Sequence, residues 1–462
     1  MPELRTFLDC RKPLIHLSHR ETKSVRIKQS GLFFFQKHEE PARVYCFEFR
    51  FLMPYDEDRG KRHMNNFTYY APTEVVFGKD AEQNTASLVK KYGGSRVFVV
   101  YGGSSAKKSG LIDRILTNFR ENKIEALAMG GVVPNPLVST ARKMAEEAKR
   151  FSADFILAVG GGSVIDTAKG VAHACANPDN DLWDFWTGTP LTKSFPVGAV
   201  LTISAAGSEM SDSAVLTNDT VENVTKRGVN TPFNRCRFAV MNPELTMTLP
   251  VYQIGAGAAD IFMHTSERYF GAAKGNHLTD EIAEGLFRTI IKYGPVAVND
   301  PHDYEAMSEV LWCSSISHNG ITGLGSSGGS GKEGDWACHQ LGMAISALYD
   351  STHGATLTAV WAAWCRYVMD KDISRFAQFA RRVYGVDEAD ESAAAEAGIE
   401  KTNAFFQSLG MPLNMHELLG HEVSEEEIIA LTEACSFGHK RTIGAFKVLD
   451  YDDMAAIFRL AK

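Results

Sequence analysis

No stretch of this sequence is both apolar and long enough to span a bilayer, so no membrane partner is expected. No secretory signal peptide opens it, and its eight cysteines form neither a CxxC pair nor a tight framework. They read as reduced thiols, which places the protein in the cytoplasm. A basic excess is lacking too. The net charge of −8 argues against nucleic acid as a partner. Internal repeats are absent, and so is the GxGxxG dinucleotide fingerprint.

What remains is an ordinary soluble composition, 44% hydrophobic and 23% charged, over 462 residues. That length is too great for one core, so two domains are expected. Residues 1–63 stand apart. They carry +4 against −12 on the rest, mix basic clusters with the apolar GLFFF at 31–35, and lack clear periodicity. They are read as an extension outside the fold. A chain beginning at Met64 is expected to fold and keep its activity.

From Met64 the pattern becomes regular. Residues 64–78 suggest an opening strand or hairpin, and a helical stretch follows to Lys91. Arg96–Tyr101 (RVFVVY) is a short apolar run of the kind that forms a buried parallel strand, ending in Gly102-Gly103-Ser104-Ser105. Helical patterns at 108–121 and 137–151 flank a strand at 126–129 and a loop forced by Pro134 and Pro136. Asp154–Val159 is a strand that runs into Gly160-Gly161-Gly162-Ser163, and 195–203 and 238–241 are further strands. Strands alternating with helices imply a doubly wound parallel sheet over 64–250. After Pro250 apolar residues recur at helical spacing, and Ser424 with Glu427 marks a capping box. Residues 251–462 are therefore expected to be an all-helical domain. Gly325–Gly331 (GSSGGSG) is expected to be a flexible loop near the chemistry.

Two features carry that chemistry. In GGGSVIDTAK at 160–169, three glycines let backbone approach a ligand. Ser163 is the expected N-cap, and the exposed amides suit a phosphate, with Asp166 also a candidate for cofactor binding. The alternative is a plain tight turn in which Asp166 supplements the cap. The second feature is Asp260 and His264, four apart and so on one helical face, with His339 and His353 further on. One carboxylate and three imidazoles are a competent ligand set for iron or zinc.

Together, GGGSVIDTAK, the Gly207-Ser208-Glu209 stretch, GAGAADIFMHTSERYF at 255–270 and the two histidines fourteen apart resemble the iron-containing (group III) alcohol dehydrogenases over 64–462. The match leans to the NADPH-dependent butanol dehydrogenase branch. The resemblance implies a dinucleotide-binding α/β domain followed by a helical metal-binding domain. It implies Fe(II), or Zn(II), on Asp260, His264, His339 and His353. It implies pyrophosphate on Gly160, Gly161, Gly162 and Ser163, with Asn135, Thr202 and Lys226 close to the cofactor. The activity implied is hydride transfer between NADPH and a small aldehyde or primary alcohol, in a homodimer, with Ile261, Phe262 and Trp336 lining an apolar site. The family usually has Thr at Ala206, often Asp at Asn242, and a histidine at Met343. The last departure leaves open a catalytically weakened metal- or nucleotide-binding paralogue. A dehydroquinate synthase-like lyase on the same plan is a separate alternative, disfavoured because no Glu stands in the place of Asp260. NADP(H) is favoured over NAD(H) on the residues themselves. NAD-selective sites place an acid after the first core strand. Here Gly102, Gly103 and Ser104 stand there, with Lys107 and Lys108 nearby.

Overall fold

The computed structural model describes residues 64–221, 224–327 and 333–462. The expectations for residues 1–63 and for most of Gly325–Gly331 lie outside the described residues. The apolar runs become the middle of a six-stranded, wholly parallel sheet. Its strands are β1 (Glu74–Phe77), β2 (Arg96–Tyr101), β3 (Glu125–Met129), β4 (Phe155–Gly160), β5 (Val197–Leu201) and β8 (Phe238–Met241). The order is β1-β8-β5-β4-β2-β3. Alternate residues of β2 and β4 face opposite layers. Phe98, Val100, Ile156 and Ala158 pack under α4 (Val138–Arg150) and α5 (Gly162–Ala176). Val97, Val99, Phe155 and Leu157 pack under α1 (Thr85–Lys91) and α3 (Leu111–Glu121), the latter following the short α2 (Ser105–Lys108). Burial on both faces is why these strands read as unbroken apolar runs.

Several local expectations are corrected. Of the strand or hairpin expected at the opening, the strand is what forms. β1 is a single strand that pairs in parallel with β8, Glu74 opposite Phe238. Gly161, not Ser163, is the N-cap of α5, and Ser163 lies in its first turn. Asp166 caps nothing. Its Oδ2 accepts from Val215 N–H at 2.9 Å. Val215 belongs to an antiparallel ribbon, β6 (Ser213–Asn218) and β7 (Thr225–Asn230), which no apolar run marks in the sequence. TKRGVN is too polar to register as a strand. The buried Lys169 ammonium also holds this ribbon, donating to Ser213 O at 2.6 Å and to Ser208 O at 2.8 Å. The departure at Asn242 has a local reason. Its Nδ2 donates to the buried Glu82 Oε2 at 2.9 Å, where an aspartate would set two carboxylates together.

Beyond the short α6 (Leu182–Trp186), helices make up the second half. They are α7 (Val251–Tyr269), α8 (His277–Asn299), α9 (Tyr304–His318), α10 (Ala337–Tyr349), α11 (His353–Val368), α12 (Ile373–Tyr384), α13 (Glu391–Ser408), α14 (Met415–Leu419), α15 (Glu425–Ser436) and α16 (Tyr451–Leu460). The capping box of Ser424 and Glu427 is formed at the start of α15. Among the described residues no helix is long and apolar enough to cross a membrane.

Candidate metal and dinucleotide site

Helix α7 is buried on all sides, yet one of its faces carries Asp260, His264 and Glu267. Their spacing of four and then three keeps them on one stripe. Helix α10 brings His339, and His353 opens α11. Asp260 Oδ1 lies 3.6 Å from His264 Nδ1, 3.8 Å from His339 Nε2 and 3.8 Å from His353 Nε2. Donor atoms of Asp260, His264 and His339 all stand within 4.8 Å of one another. His353 falls outside that tight group and keeps part of its side chain accessible.

The decisive feature is what these atoms lack. Asp260 Oδ1, His264 Nδ1, His339 Nε2 and His353 Nδ1 are buried without any hydrogen-bond partner. Unpaired buried polar atoms are costly, and those of Asp260, His264 and His339 converge, while His353 turns its other nitrogen, Nε2, toward Asp260. Burial lifts the Asp260 carboxyl to about 7, against the attraction of Lys226. Burial likewise pushes the His339 imidazole down to about 3, helped by the charges of Arg268 and Lys226. His264 and His353 are driven well below the usual imidazole range, first by burial. Neutral imidazoles around a buried carboxylate present lone pairs with nothing to accept from, a donor set that fits a divalent cation.

Glu267, which the spacing argument overlooked, orients one of these rings. Its Oε1 accepts from His339 N–H at 2.8 Å and lies 2.9 Å from His339 Nδ1. That contact places the ring proton on Nδ1 and turns the Nε2 lone pair toward Asp260, as in carboxylate–histidine–metal arrangements. His318 also stands beside the cluster, and no motif in the sequence includes it. Its ring centroid lies 4.1 Å from that of His264. Arg268 reaches across both, donating to His264 O at 3.1 Å, with Nη2 3.2 Å from His318 Nδ1. No spacing in the sequence signals His318, because only the packing of α9 on α7 brings it there.

Of the expected apolar lining, only Trp336 borders the cluster, its ring 5.2 Å from His339. Ile261 and Phe262 point into the helical core, where Phe262 packs 4.7 Å from Phe287 and 5.3 Å from Phe406. Met343 is half-buried one turn beyond His339, with its sulfur 4.0 Å from Gln340 Nε2.

The sheet supplies the other half. From β2 the chain crosses one way to β3, and from β4 it crosses the other way to β5. The switch point therefore lies between the ends of β2 and β4, where open α/β sheets bind their ligands. Gly102, Gly103 and Ser104 end one wall, and Gly160, Gly161, Gly162 and Ser163 end the other. The glycines also have an internal cause. A Cβ on Gly160 would stand 2.5 Å from Val164, and one on Gly161 2.8 Å from Ile203. At Gly162 it would be 3.2 Å from Ala206, the position where the family usually has Thr. Thr202 N–H donates to Gly160 O at 3.2 Å, which ties β5 to this turn. Asn135 Oδ1 accepts from Lys226 Nζ at 2.8 Å. Burial pushes the Lys226 ammonium down to about 8, against the pull of Asp166, Asp260 and Asp350.

Residues 72–243 match the family described as iron-containing alcohol dehydrogenase, and residues 255–462 match the C-terminal domain of the Fe-containing alcohol dehydrogenase family. The chain is 37% identical over 399 residues to NADH-dependent butanol dehydrogenase A of Clostridium acetobutylicum, covering 86% of this chain and 99% of that relative. It is 33% identical over 357 residues to NADPH-dependent aldehyde reductase YqhD of Escherichia coli, covering 77% and 89%. The crystal structure of NADH-dependent butanol dehydrogenase A from Thermotoga maritima superposes with a TM-score of 0.80 at 34% identity, covering 86% of this chain and 99% of that one. On these matches the chain is an oxidoreductase that belongs to the iron-containing alcohol dehydrogenase family.

Proposed function

We propose that this enzyme interconverts a small aldehyde and its primary alcohol with NADP(H), at one Fe(II) or Zn(II) held by Asp260, His264, His339 and His353. The observation that carries this is the convergence of the buried, unpartnered donor atoms of Asp260, His264 and His339, with His353 Nε2 3.8 Å from Asp260. The chemistry supplied by the bound groups is Lewis-acid polarisation of a carbonyl and donation of hydride. The chain's own residues bind and orient. Glu267 fixes the His339 ring, Trp336 and Arg268 wall the cluster, and the ends of β2 and β4 receive the dinucleotide. The names of the relatives, butanol dehydrogenase and aldehyde reductase, support a small aliphatic substrate. The direct test is NADPH absorbance with butyraldehyde, with and without added Fe(II) or Zn(II). No metal-stimulated oxidation of NADPH would reject the proposal. The same reading makes the enzyme a cytoplasmic homodimer with reduced thiols. Cys175, Cys236, Cys313, Cys338, Cys365 and Cys435 are all free and buried.

The preference for NADPH rests on the end of β2. Gly103, Ser104, Lys107 and Lys108 are all exposed there, and the segment from Gly102 to Lys108 contains no acid. An acid would repel a 2′-phosphate, whereas hydroxyls and cations accommodate one. We expect kcat/KM for NADPH to exceed that for NADH by about tenfold or more, roughly 1.4 kcal/mol. Equal values would remove the preference.

Gly354 sets the approach of α11 to α7. A Cβ there would stand 2.1 Å from Ala256 O, on backbone that cannot swing aside. Gly354→Ala is expected to shift the start of α11, and with it His353. Zn(II) affinity should fall by about tenfold, the size of effect seen when ligand support is lost. Chelator competition measures it. Unchanged affinity would show that α11 can move without carrying His353 away.

A further inference from the structure

Asn135 and Asp350 both hold left-handed backbone, with φ of 54° and 48°. That region is costly for most side chains and best tolerated by Asn and Asp. The two residues meet although 215 positions separate them, Asn135 Nδ2 donating to Asp350 Oδ1 at 2.8 Å. On its other side Asn135 Oδ1 accepts from Lys226 Nζ at 2.8 Å and lies 3.3 Å from Ser346 Oγ. An ammonium can only donate and a carboxylate can only accept, so the amide of Asn135 has one allowed orientation. A continuous polar chain thus runs from β7, through the loop after β3, to the loop between α10 and α11.

That last loop joins the two helices that carry His339 and His353. Asp350 is the C-cap of α10, and His353 begins α11 three residues later. His353 is also the ligand candidate with the most slack, outside the tight group and partly exposed. Its placement therefore depends on where this short loop is held, together with the close approach of Gly354 to α7.

We propose that Asp350 is a positioning residue which, through Asn135, ties His353 to the nucleotide-binding half, so that dinucleotide and metal bind with positive coupling. The inference rests on the metal and cofactor assignment proposed above. A dinucleotide in the crevice orders the loop of Asn135. Asp350 passes that order to His353, and the metal then meets a ligand already in place. Coupling of this kind is reciprocal, so metal favours nucleotide by the same factor.

The test is the Zn(II) dissociation constant of the full chain, by chelator competition, with and without saturating NADPH. NADPH should tighten Zn(II) binding by about tenfold, within the roughly 5–150-fold span of such couplings. Asp350→Asn keeps an acceptor oxygen and tolerates left-handed φ, so it should retain the ratio. Asp350→Gly removes the acceptor while easing the backbone, so the fold is kept and the ratio should fall to about one. A ratio of about one in a wild type that binds both ligands overturns the inference and leaves the assignment standing. So does a full ratio in Asp350→Gly, which would mean the ligands sense one another directly. A wild type that binds no Zn(II) overturns the assignment and the inference with it.

Discussion

His264→Ala and His339→Ala are each expected to yield a folded protein that purifies without stoichiometric metal and has lost essentially all turnover. Each variant removes an imidazole whose lone pair faces Asp260 Oδ1, at 3.6 and 3.8 Å respectively. The remaining donors fill a four-coordinate shell only with water in place of the lost imidazole, and hold the ion less tightly. Lewis-acid stabilisation is worth several kcal/mol, so kcat should fall by about 10³-fold or more. Helix α7 is buried from Ile254 to Tyr269, and α10 packs on α11 and α15, so far-UV circular dichroism should be preserved. The measurements are metal analysis of anaerobically purified protein and NADPH oxidation with butyraldehyde. Full metal occupancy in either variant would remove these residues from the ligand set.

Met343→His is expected to make the enzyme faster. Position 343 follows His339 by one helical turn on α10, so the two share a face. A thioether has no proton to give, whereas imidazole exchanges one near neutral pH. General acid–base assistance is typically worth about 10²–10⁴-fold, and a residue not evolved for the task should reach the lower end, about 10²-fold in kcat. The sign of the pH effect differs by direction. Aldehyde reduction needs the protonated ring, so the added rate should be full below the histidine pKa and lost above it. Alcohol oxidation needs the neutral ring, so the gain should appear as pH rises through that pKa. Metal content should not change. Superimposable pH profiles for the two proteins, at matched metal loading, would mean that Met343 only fills space and that the alkoxide is protonated by another route.

Sequence alone determined those parts of the protein whose cause is local. RVFVVY and FILAV declare themselves as strands because a parallel strand covered on both faces must be apolar at every position. Helix α7 announces Asp260 and His264 as neighbours because 3.6 residues complete a turn. The box at Ser424 and Glu427 is likewise closed within four residues. Tertiary structure alone decided the rest. The ribbon of β6 and β7 is polar and stands through contacts with Asp166 and Lys169 that its own sequence does not contain. Glu267 becomes the orienting carboxylate only because α10 lays His339 against it, 72 residues away. His318 beside His264 and Asp350 beside Asn135 are likewise products of packing, invisible to any local period. Phe262 and Trp336 show the limit most simply. Both are aromatic and close in sequence to the candidate ligands, yet one fills the helical core and the other borders the histidine cluster. Periodicity tells which face of an element is buried, but which neighbour buries it is set by the path of the whole chain.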